Sequence, residues 1–300
     1  MGSGETGTGQ NPPCGESING PVDTNMPSPS EVLQSFSALV LTGGSSGIGR
    51  SFIELGASLE PNLVFCNLSR RLPAKKTCEI AGKRLNHFAC DVSRPEELAR
   101  VAGELSAFLA TAVPAGRILL VNNSGFGAFG RFPEPGLDRQ LELIDVNVRA
   151  VVELTGRLLP ILRARGGAIL NIASTVAFQP TAFAATYGAS KAFVLHWTLA
   201  LNEELRGSGV RALALCPGTT TTEFFRTAGL ADGAVVAAIS QSPETVVACA
   251  LRALGSGRSQ VVPGWFNKLY TLVGARLPKP LATRLAALVF GRFRLGRTSP

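Results

Sequence analysis

A glycine-rich segment directly follows the first apolar run of the chain. The run, Ser37-Ala38-Leu39-Val40-Leu41, is short and uninterrupted, which is typical of a buried strand. The next residues, Thr42-Gly43-Gly44-Ser45-Ser46-Gly47-Ile48-Gly49, lead into an amphipathic helical pattern. A strand, a glycine-rich turn and a helix in this order place a pyrophosphate at the N-terminus of the helix, where free N–H groups meet the anion. An ordinary glycine-rich loop is the alternative, because the spacing is Gly-x-x-x-Gly-x-Gly rather than Gly-x-Gly-x-x-Gly.

Short apolar runs alternate with helical patterns along the rest of the chain. Strands that alternate with helices form a parallel sheet through right-handed crossovers, and such sheets bind ligands beyond the carboxyl ends of their strands. The pattern therefore predicts an α/β fold: a single doubly wound (Rossmann) domain with a seven-stranded parallel sheet, plus a C-terminal helical extension. The later strand-like runs are 63–68, 87–90, 117–121, 167–172, 210–215 and 260–262, and two long helical patterns are 95–109 and 140–163.

Three polar residues near the fifth run have a spacing that suits acid–base chemistry. Tyr187 and Lys191 lie four positions apart, so on a helix they share a face, and Ser174 lies thirteen positions before the tyrosine. A phenol loses its proton near pH ~10, and a neighbouring cation favours the phenolate. We therefore expect Lys191 to lower the pKa of Tyr187 into a range useful near neutral pH. Such a group polarises a carbonyl or deprotonates an alcohol, although Tyr-x-x-x-Lys is also common on ordinary helix surfaces.

Taken together, these residues resemble the short-chain dehydrogenase/reductase (SDR) family. Six motifs occur in the family's order between Ser37 and Gly264. The glycine-rich segment matches the family's TGxxxGxG motif, and Ser174, Tyr187 and Lys191 match its catalytic serine and YxxxK. Asn122-Asn123-Ser124-Gly125 matches the family's NNAG motif, with serine in the alanine position. Asn147 matches the asparagine of the catalytic tetrad. Cys216-Pro217-Gly218, followed by Thr222, matches the segment that holds the nicotinamide.

The resemblance implies a reaction and four catalytic residues. It implies hydride transfer between nicotinamide C4 and the carbon of a carbonyl or secondary alcohol. Tyr187 would exchange a proton with the substrate oxygen, Ser174 would hydrogen-bond that oxygen, and Lys191 would tune Tyr187 and bind the nicotinamide ribose. Asn147 would support a water path to the lysine; the alternative for Asn147 is a polar side chain bonded to helix backbone. A catalytically silent dinucleotide-binding sensor or scaffold of the same fold is the alternative function.

The resemblance also implies which residues bind the cofactor. Thr222 belongs to a run of four threonines, so its match to the family's threonine can shift by one position. The implied cofactor-binding residues are Gly43, Ser45, Ser46, Gly47, Ile48, Gly49, Ser69, Arg70, Arg71, Asp91, Val92, Asn123, Ser124, Gly125, Tyr187, Lys191, Pro217, Gly218, Thr220 and Thr222.

The end of the second strand decides which nicotinamide cofactor fits. An acidic residue there would accept the 2′-hydroxyl of NAD and repel a 2′-phosphate. This chain has Ser69-Arg70-Arg71 instead, and arginine offers a planar donor fork suited to phosphate. We therefore expect NADP (NADPH) rather than NAD, and reduction of a carbonyl as the physiological direction. The alternative is that both arginines are solvated surface residues. Asp91, after the third strand, matches an adenine-contacting residue of the family, and its alternative is a turn residue or a helix cap.

Composition divides the chain into three parts. Residues 1–32 are rich in Gly, Ser, Pro, Asn and Thr, without an apolar period or the apolar core of a signal peptide, so we expect a disordered or appended segment. Residues 33–264 are expected to form the Rossmann catalytic domain, and residues 265–300 a basic amphipathic helical extension. The six cysteines show no CxxC spacing and are expected to be reduced thiols of a cytoplasmic protein. The two histidines have no cluster around them, so we expect no metal site.

The residues that determine the substrate are less clear from the sequence. Residues 222–242 are expected to form a lid with an apolar character, and Ala177, Phe178 and Phe183 are expected to add apolar surface. A hydrophobic ketone or acyl-type substrate follows, unless these side chains only pack the lid. The resemblance further implies a homodimer or homotetramer through the helices that carry Asn147 and Tyr187.

The net charge of the chain resides in its last fifty residues. Up to position 250 the chain has 20 basic and 21 acidic residues, and the remaining nine basic residues bring the total to +8. Apolar residues in this part follow helical spacing, and its longest apolar run, 285–290, is too short to span a bilayer. Three interpretations remain open: helices packed on the domain or on a second subunit, contact with an anionic membrane surface, and contact with nucleic acid. Sparse aromatic residues and the lack of a binding motif argue against nucleic acid.

Overall fold

The structure is a computed structural model that describes residues 26–134, 136–222 and 240–294. The lid expected at 222–242 lies mostly outside these residues, as does most of the segment 1–32. The model has a seven-stranded parallel sheet with the order β3-β2-β1-β4-β5-β6-β7, which confirms the predicted fold class. The strands are β1 (Phe36–Thr42), β2 (Val64–Ser69), β3 (Leu85–Ala89), β4 (Arg117–Asn122), β5 (Gly167–Ile172), β6 (Val210–Leu215) and β7 (Gln260–Val261).

Helices cover both faces of the sheet. Residues of β1 alternate between two cores: Leu39 and Leu41 pack with α2 and α8, whereas Ala38 and Val40 pack with α4 and α6. All four side chains are fully buried, as expected for the central strand of a doubly wound sheet. The helices are α1 (Pro29–Gln34), α2 (Gly47–Leu59), α3 (Lys75–Ala81), α4 (Pro95–Ala112), α5 (Leu137–Ile144), α6 (Ala150–Arg165), α7 (Ala185–Glu204), α8 (Pro243–Gly255), α9 (Trp265–Arg276) and α10 (Lys279–Arg294).

The ordered fold begins earlier than the predicted boundary at residue 32. The Ser28 hydroxyl accepts a hydrogen bond from the Glu31 N–H, and the Glu31 carboxylate accepts one from the Ser28 N–H. This capping box, with a proline at the first helical position, starts α1. Val32 and Leu33 then pack into the core on the α8 side. The expectation of disorder is therefore wrong for residues 28–32, because a short local cap and two apolar side chains are enough to attach this turn.

The long helix predicted over 140–163 is not a single α-helix. A π-helical turn, Asp145–Arg149, separates α5 from α6. The wider turn brings Asn147 out of the regular register, and Asn147 is almost fully buried. Such π-bulges occur frequently at functional sites in other proteins.

The C-terminal extension consists of α9 and α10, as its helical spacing predicted. Helix α9 packs on the short 3₁₀ turn Thr175–Phe178, and the Lys279 ammonium at the start of α10 donates a 3.5 Å hydrogen bond to the Phe178 carbonyl. Within the described part of the chain, no helix combines the length and the hydropathy needed to cross a bilayer.

Candidate active site

A cleft of about 550 Å³ opens at the carboxyl ends of the strands. In the sheet, β2 and β3 lie on one side of β1, and β4 to β7 lie on the other side. The cleft lies between β1 and β4, where the strand order reverses. This switch point is the usual ligand crevice of a doubly wound sheet. The segments that follow β1, β2, β3, β4, β5 and β6 all contribute residues to the cleft.

The glycine-rich segment after β1 forms one wall of the cleft. Helix α2 begins at Gly47, whose φ of +55° is left-handed and therefore favours glycine. The Ser46 side chain does not cap the helix, and no acidic residue lies in the first turn. The first N–H groups of α2 and the positive end of its dipole therefore face the cleft without an internal anion. A Cβ on Gly49 would lie 2.3 Å from the Gly43 carbonyl oxygen, so this glycine permits the close packing of the loop on its own helix.

Thr42 and Asn123 hold the ends of β1 and β4 together. The Thr42 hydroxyl accepts hydrogen bonds from the N–H groups of Asn123 (3.0 Å) and Ser124 (2.9 Å). In return, the Asn123 amide donates to the carbonyls of Thr42 (2.9 Å) and Gly43 (3.1 Å). This contact sets Ser124 and Gly125 beside the glycine-rich loop, on the floor of the cleft.

Two arginines line the cleft at the end of β2. Arg70 is mostly exposed, and its guanidinium lies 3.9 Å from the Asp91 carboxylate. The buried Ser69 hydroxyl donates to the Arg71 carbonyl (2.7 Å) and accepts from the Asn67 amide, so it shapes the turn that presents the arginines. A positively charged rim of this kind fits a phosphate.

Asp91 has a structural partner in addition to its place in the cleft wall. Its carboxylate accepts hydrogen bonds from the N–H and the hydroxyl of Ser93, at 3.0 and 2.7 Å. Burial alone would raise the pKa of Asp91, but these hydrogen bonds and the charges of Arg70 and Arg94 outweigh it and lower the pKa. The turn role that the sequence left open is thus present, and Asp91 and Val92 also face the cleft.

Ser174, Tyr187 and Lys191 all line the cleft, and all three are buried. Ser174 follows β5, and its hydroxyl accepts from the Val176 N–H at 3.3 Å, which caps the turn Thr175–Phe178. Tyr187 and Lys191 lie on α7, as their spacing predicted. The Lys191 ammonium donates a 2.8 Å hydrogen bond to the Ile172 carbonyl at the end of β5. The ring of Phe129 packs against Tyr187 with centroids 5.8 Å apart.

Burial dominates the pKa values of this group. It raises the pKa of Tyr187 to about 12, against the opposing effect of the hydrogen bond with Ser174. It also lowers the pKa of Lys191 to about 8, against the opposing effect of the nearby Cys216 thiol. The expectation that Lys191 acidifies Tyr187 is therefore wrong, because removal from water disfavours both charged forms.

Asn147 supports the cleft from behind. Its amide donates to the Phe126 carbonyl and to the Ser190 hydroxyl, each at 3.1 Å, and its carbonyl accepts from the Phe126 N–H. The Ser190 hydroxyl donates in turn to the Tyr187 carbonyl at 2.7 Å. A Cβ on Gly125 would lie 3.1 Å from the Asn147 oxygen and 3.2 Å from the Lys191 ammonium. Asn147 thus joins the loop after β4 to the helix that carries Tyr187, and its amide oxygen lies on the same side of Gly125 as the Lys191 ammonium.

The segment after β6 closes the remaining side of the cleft. Backbone hydrogen bonds join Thr219 and Thr221 to Gln241, so the segment after β6 lies beside the residues that lead into α8. Thr220 donates to the Gly218 carbonyl at 3.2 Å. A Cβ on Gly47 would lie 3.1 Å from the Thr222 methyl group, so Thr222 lies opposite the start of α2.

The cleft brings together nearly all of the predicted site residues. Gly49 and Asn147 are the two exceptions, since they support the wall rather than line it. Ala177 packs in a core cluster, and Phe183 lines a separate pocket of about 300 Å³. The sequence missed several lining residues, of which Phe126, Phe129, Arg139, Glu142, Val146 and Val176 come from the main domain and Phe266, Asn267 and Tyr270 from α9. Only the i and i+4 spacing of Phe266 and Tyr270 hints that they share a face.

The lining residues fit a dinucleotide. The unblocked start of α2 and the glycine-rich loop fit a pyrophosphate, and Arg70 and Arg71 provide charge where the second strand ends. Lys191 and the segment Pro217–Thr222 lie at the other end, beside Ser174 and Tyr187.

A family model described as short chain dehydrogenase matches residues 37–248. The chain belongs to this family of oxidoreductases. All of β1 except Phe36, the glycine-rich loop and the residues from Ser174 to Lys191 fall within the matched range.

Curated relatives include reductases of acyl substrates. The chain is 29% identical over 229 residues to the ketoacyl reductase HetN of Nostoc, which covers 75% of this chain and 77% of that protein. It is 30% identical over 258 residues to the very-long-chain 3-oxoacyl-CoA reductase of Bos taurus, covering 82% of this chain and 77% of that protein. Among solved structures, a short-chain dehydrogenase from Sphingobium yanoikuyae in complex with NADPH matches with a TM-score of 0.67 and 27% identity, over 87% of this chain and 98% of that chain.

The lowered pKa of Lys191 predicts a pH-dependent difference in stability. Between the folded pKa of about 8 and the ordinary value of 10.5, the unfolded chain holds a proton that the folded chain has lost, so folding becomes more favourable as pH rises through this window. We expect the free energy of unfolding of wild type to rise by about 3 kcal/mol over the window, relative to that of Lys191→Met. Urea unfolding at a series of pH values measures it. The exposed Lys83→Met should show no such trend, and a pH-independent difference for Lys191→Met would contradict the assignment.

Proposed function

We propose that the protein is an NADP(H)-dependent oxidoreductase that interconverts a carbonyl and a secondary alcohol. The observation that carries the proposal is the layout of one cleft. A cradle for an anionic dinucleotide occupies its β1 and β2 side, and Ser174, Tyr187 and Lys191 occupy its β5 side. A pure binding protein has no need of a buried phenol and a buried amine at the end where the nicotinamide would lie.

The protonation state of Tyr187 supports carbonyl reduction. With a pKa of about 12 the phenol keeps its proton at neutral pH, so it acts as a proton donor rather than as a base. Bound NADPH would supply the hydride. Tyr187 then gives its proton to the substrate oxygen, and the Ser174 hydroxyl hydrogen-bonds the same oxygen and holds the substrate in place.

Lys191 couples cofactor binding to this proton transfer. Its pKa of about 8 leaves a fraction of the amine neutral near physiological pH. An anionic ligand in the cleft favours the ammonium form and raises this pKa. The ammonium then holds the ribose next to the phenol that transfers the proton. We assign to Asn147 the positioning of Tyr187 and of the loop that carries Gly125, through the hydrogen bonds to Phe126 and Ser190.

We infer a hydrophobic substrate from the apolar side chains around Tyr187. Phe126, Phe129 and Val176 line this part of the cleft, and Phe266 and Tyr270 of α9 face them. Such walls favour an apolar carbonyl compound over a small polar one. The acyl substrates in the names of two relatives agree with this inference.

We also propose a cytoplasmic homodimer or homotetramer. The five cysteines that the structure describes are free thiols, in keeping with a reducing compartment. Helices α5, α6 and α7 expose large apolar side chains: Leu137, Leu141, Ile144, Val152 and Phe193.

Replacement of Tyr187 tests the proposed chemistry. Tyr187→Phe keeps the ring but removes the hydroxyl that donates the proton, so we expect the rate of NADPH oxidation with hydrophobic ketones to fall by about 10²–10⁴-fold. NADPH binding, measured by fluorescence titration, should persist. Tyr270→Phe is the matched control, because it removes the other phenol of the chain from the same cleft and should keep most of the turnover. Cofactor binding without turnover by wild type on any carbonyl would instead indicate a sensor.

The cofactor preference depends on the charge at the end of β2. Arg70→Asp places a carboxylate where a 2′-phosphate would bind, so we expect NADPH affinity to fall at least tenfold more than NADH affinity. Both affinities are measured by the same titration. Lys83→Asp makes the same charge change at the amino end of β3 and should affect neither. An equal loss for both cofactors would remove the argument for NADP.

The exposed apolar residues of α5 and α7 predict the subunit contact. Light scattering should give wild type at least twice the mass of one chain. Leu141→Arg with Phe193→Arg places two charges in that contact and should give a monomer, since unpaired buried charges are costly. A wild-type monomer would end this proposal.

A further inference from the structure

The buried residues of α9 and α10 are small, among the side chains that the structure describes. They are Thr271 and Gly274 on α9 and Ala282 and Ala286 on α10. A Cβ on Gly274 would lie 2.5 Å from the Gln179 side-chain oxygen, so α9 approaches the turn after Ser174 very closely.

Eight large apolar side chains of these helices, all within residues 265–288, lie on the outside. Those that are 45–67% exposed define what we call the outer face: Trp265, Phe266, Leu269, Leu272, Val273, Leu281, Leu285 and Leu288. An ordinary surface helix buries its large apolar residues and exposes polar ones. The arrangement here is the reverse, and contiguous exposed apolar residues of this kind mark an interaction surface.

Basic residues accompany the outer face. Lys268, Arg276, Lys279 and Arg284 are exposed on the same two helices. The last acidic residue of the chain is Glu244, so no carboxylate side chain in the extension offsets these charges. A partner for this surface must therefore combine apolar material with negative charge.

An anionic lipid bilayer has this combination. Its acyl region accepts the large side chains of an interfacial helix, and its headgroups attract lysine and arginine at the edge of that helix. A second copy of the chain fits less well, because a twofold contact would place the same basic residues opposite one another. Nucleic acid offers phosphates but no counterpart for eight apolar side chains.

We propose that the outer face of α9 and α10 docks on the surface of an anionic membrane. Phe266 and Tyr270 belong to α9 and also line the cleft, so the docked protein opens its cleft at the lipid surface. Given the proposed oxidoreductase function, the substrate is then a carbonyl compound dissolved in the bilayer, which enters past Phe266.

Vesicle flotation of the full chain tests the docking. The probes are phosphatidylcholine vesicles with and without about one-third phosphatidylserine. We expect wild type to float with the anionic vesicles and much less with the neutral ones. Each basic residue near such a surface contributes roughly fivefold to partitioning, so Lys268→Gln/Arg276→Gln/Arg284→Gln should lower it roughly 100-fold. Leu269→Gln/Leu272→Gln/Leu285→Gln should lower it at least as much.

A matched variant controls for the loss of charge and apolar surface in general. Leu72, Lys76 and Lys83 are exposed and lie away from the extension, so Leu72→Gln/Lys76→Gln/Lys83→Gln should float like wild type. All substituted side chains are exposed, and thermal melts will show whether each variant is folded. Equal flotation of the control and the two α9–α10 variants would overturn the proposal, as would absence of wild-type binding. So would a loss of self-association, seen by light scattering, in those two variants alone.

Fluorescence gives a second readout that needs no change in the outer face. The chain has two tryptophans, Trp197 and Trp265, so Trp197→Phe leaves the one on the outer face. Its emission should shift to shorter wavelength with anionic vesicles and be quenched by brominated lipids. Unchanged emission would contradict docking by this face. Both readouts are independent of turnover, so vesicle binding without NADPH oxidation would support the docking and refute the proposed function.

Discussion

The hydrogen bonds between Thr42 and Asn123 fix the geometry on which the site depends. They join the carboxyl ends of β1 and β4, the two central strands from which the crossovers diverge. One side of this contact leads into the glycine-rich loop and α2, and the other leads through Ser124 and Gly125 toward Asn147. The glycine-rich wall of the cleft and the support of α7 therefore share one origin. Side-chain bonds are needed here because strand pairing ends where the cleft begins.

The same enclosure that shapes the cleft has an electrostatic cost. Tyr187 and Lys191 are both buried, and burial shifts the pKa of each group toward its neutral form. Burial of a charge opposes folding, so the Lys191 ammonium is less stable here than in water. Its 2.8 Å hydrogen bond to the Ile172 carbonyl offsets part of that cost. The position of Lys191 in the cleft therefore lowers the stability of the fold.

The sequence was most informative where the periodicity of apolar residues or a single motif determines the local structure. The bounds of β5 and β6 agree with the apolar runs 167–172 and 210–215, because a fully buried parallel strand is a continuous apolar segment. The glycine-rich loop, the segment Asn123–Gly125 and Ser174 lie together because each follows the end of a strand, whereas Tyr187 and Lys191 reach the cleft from α7. The π turn at Asn147 was not predicted, because its extra residue shifts the apolar pattern by a single position, which is within the uncertainty of a helix bound. The predicted direction of the Tyr187 pKa shift was wrong, because the burial of Tyr187 depends on contacts with Phe129 and Ala184 that no local spacing encodes.

The place of α9 in the cleft is the clearest case of information that only the tertiary structure holds. Its helical period was visible, but nothing in the period tells which side contacts the domain. Gly274 determines which side of α9 contacts the domain, because its lack of a side chain lets α9 approach Gln179 closely. The Gln179 amide in turn donates a hydrogen bond to the Tyr270 hydroxyl. Gln179 directly follows the turn that Ser174 caps. A displacement of α9 by a partner on its outer face would therefore also displace the segment next to Ser174, because the atoms between them are closely packed. We expect any partner of the outer face to affect the position of that serine, and hence the site itself.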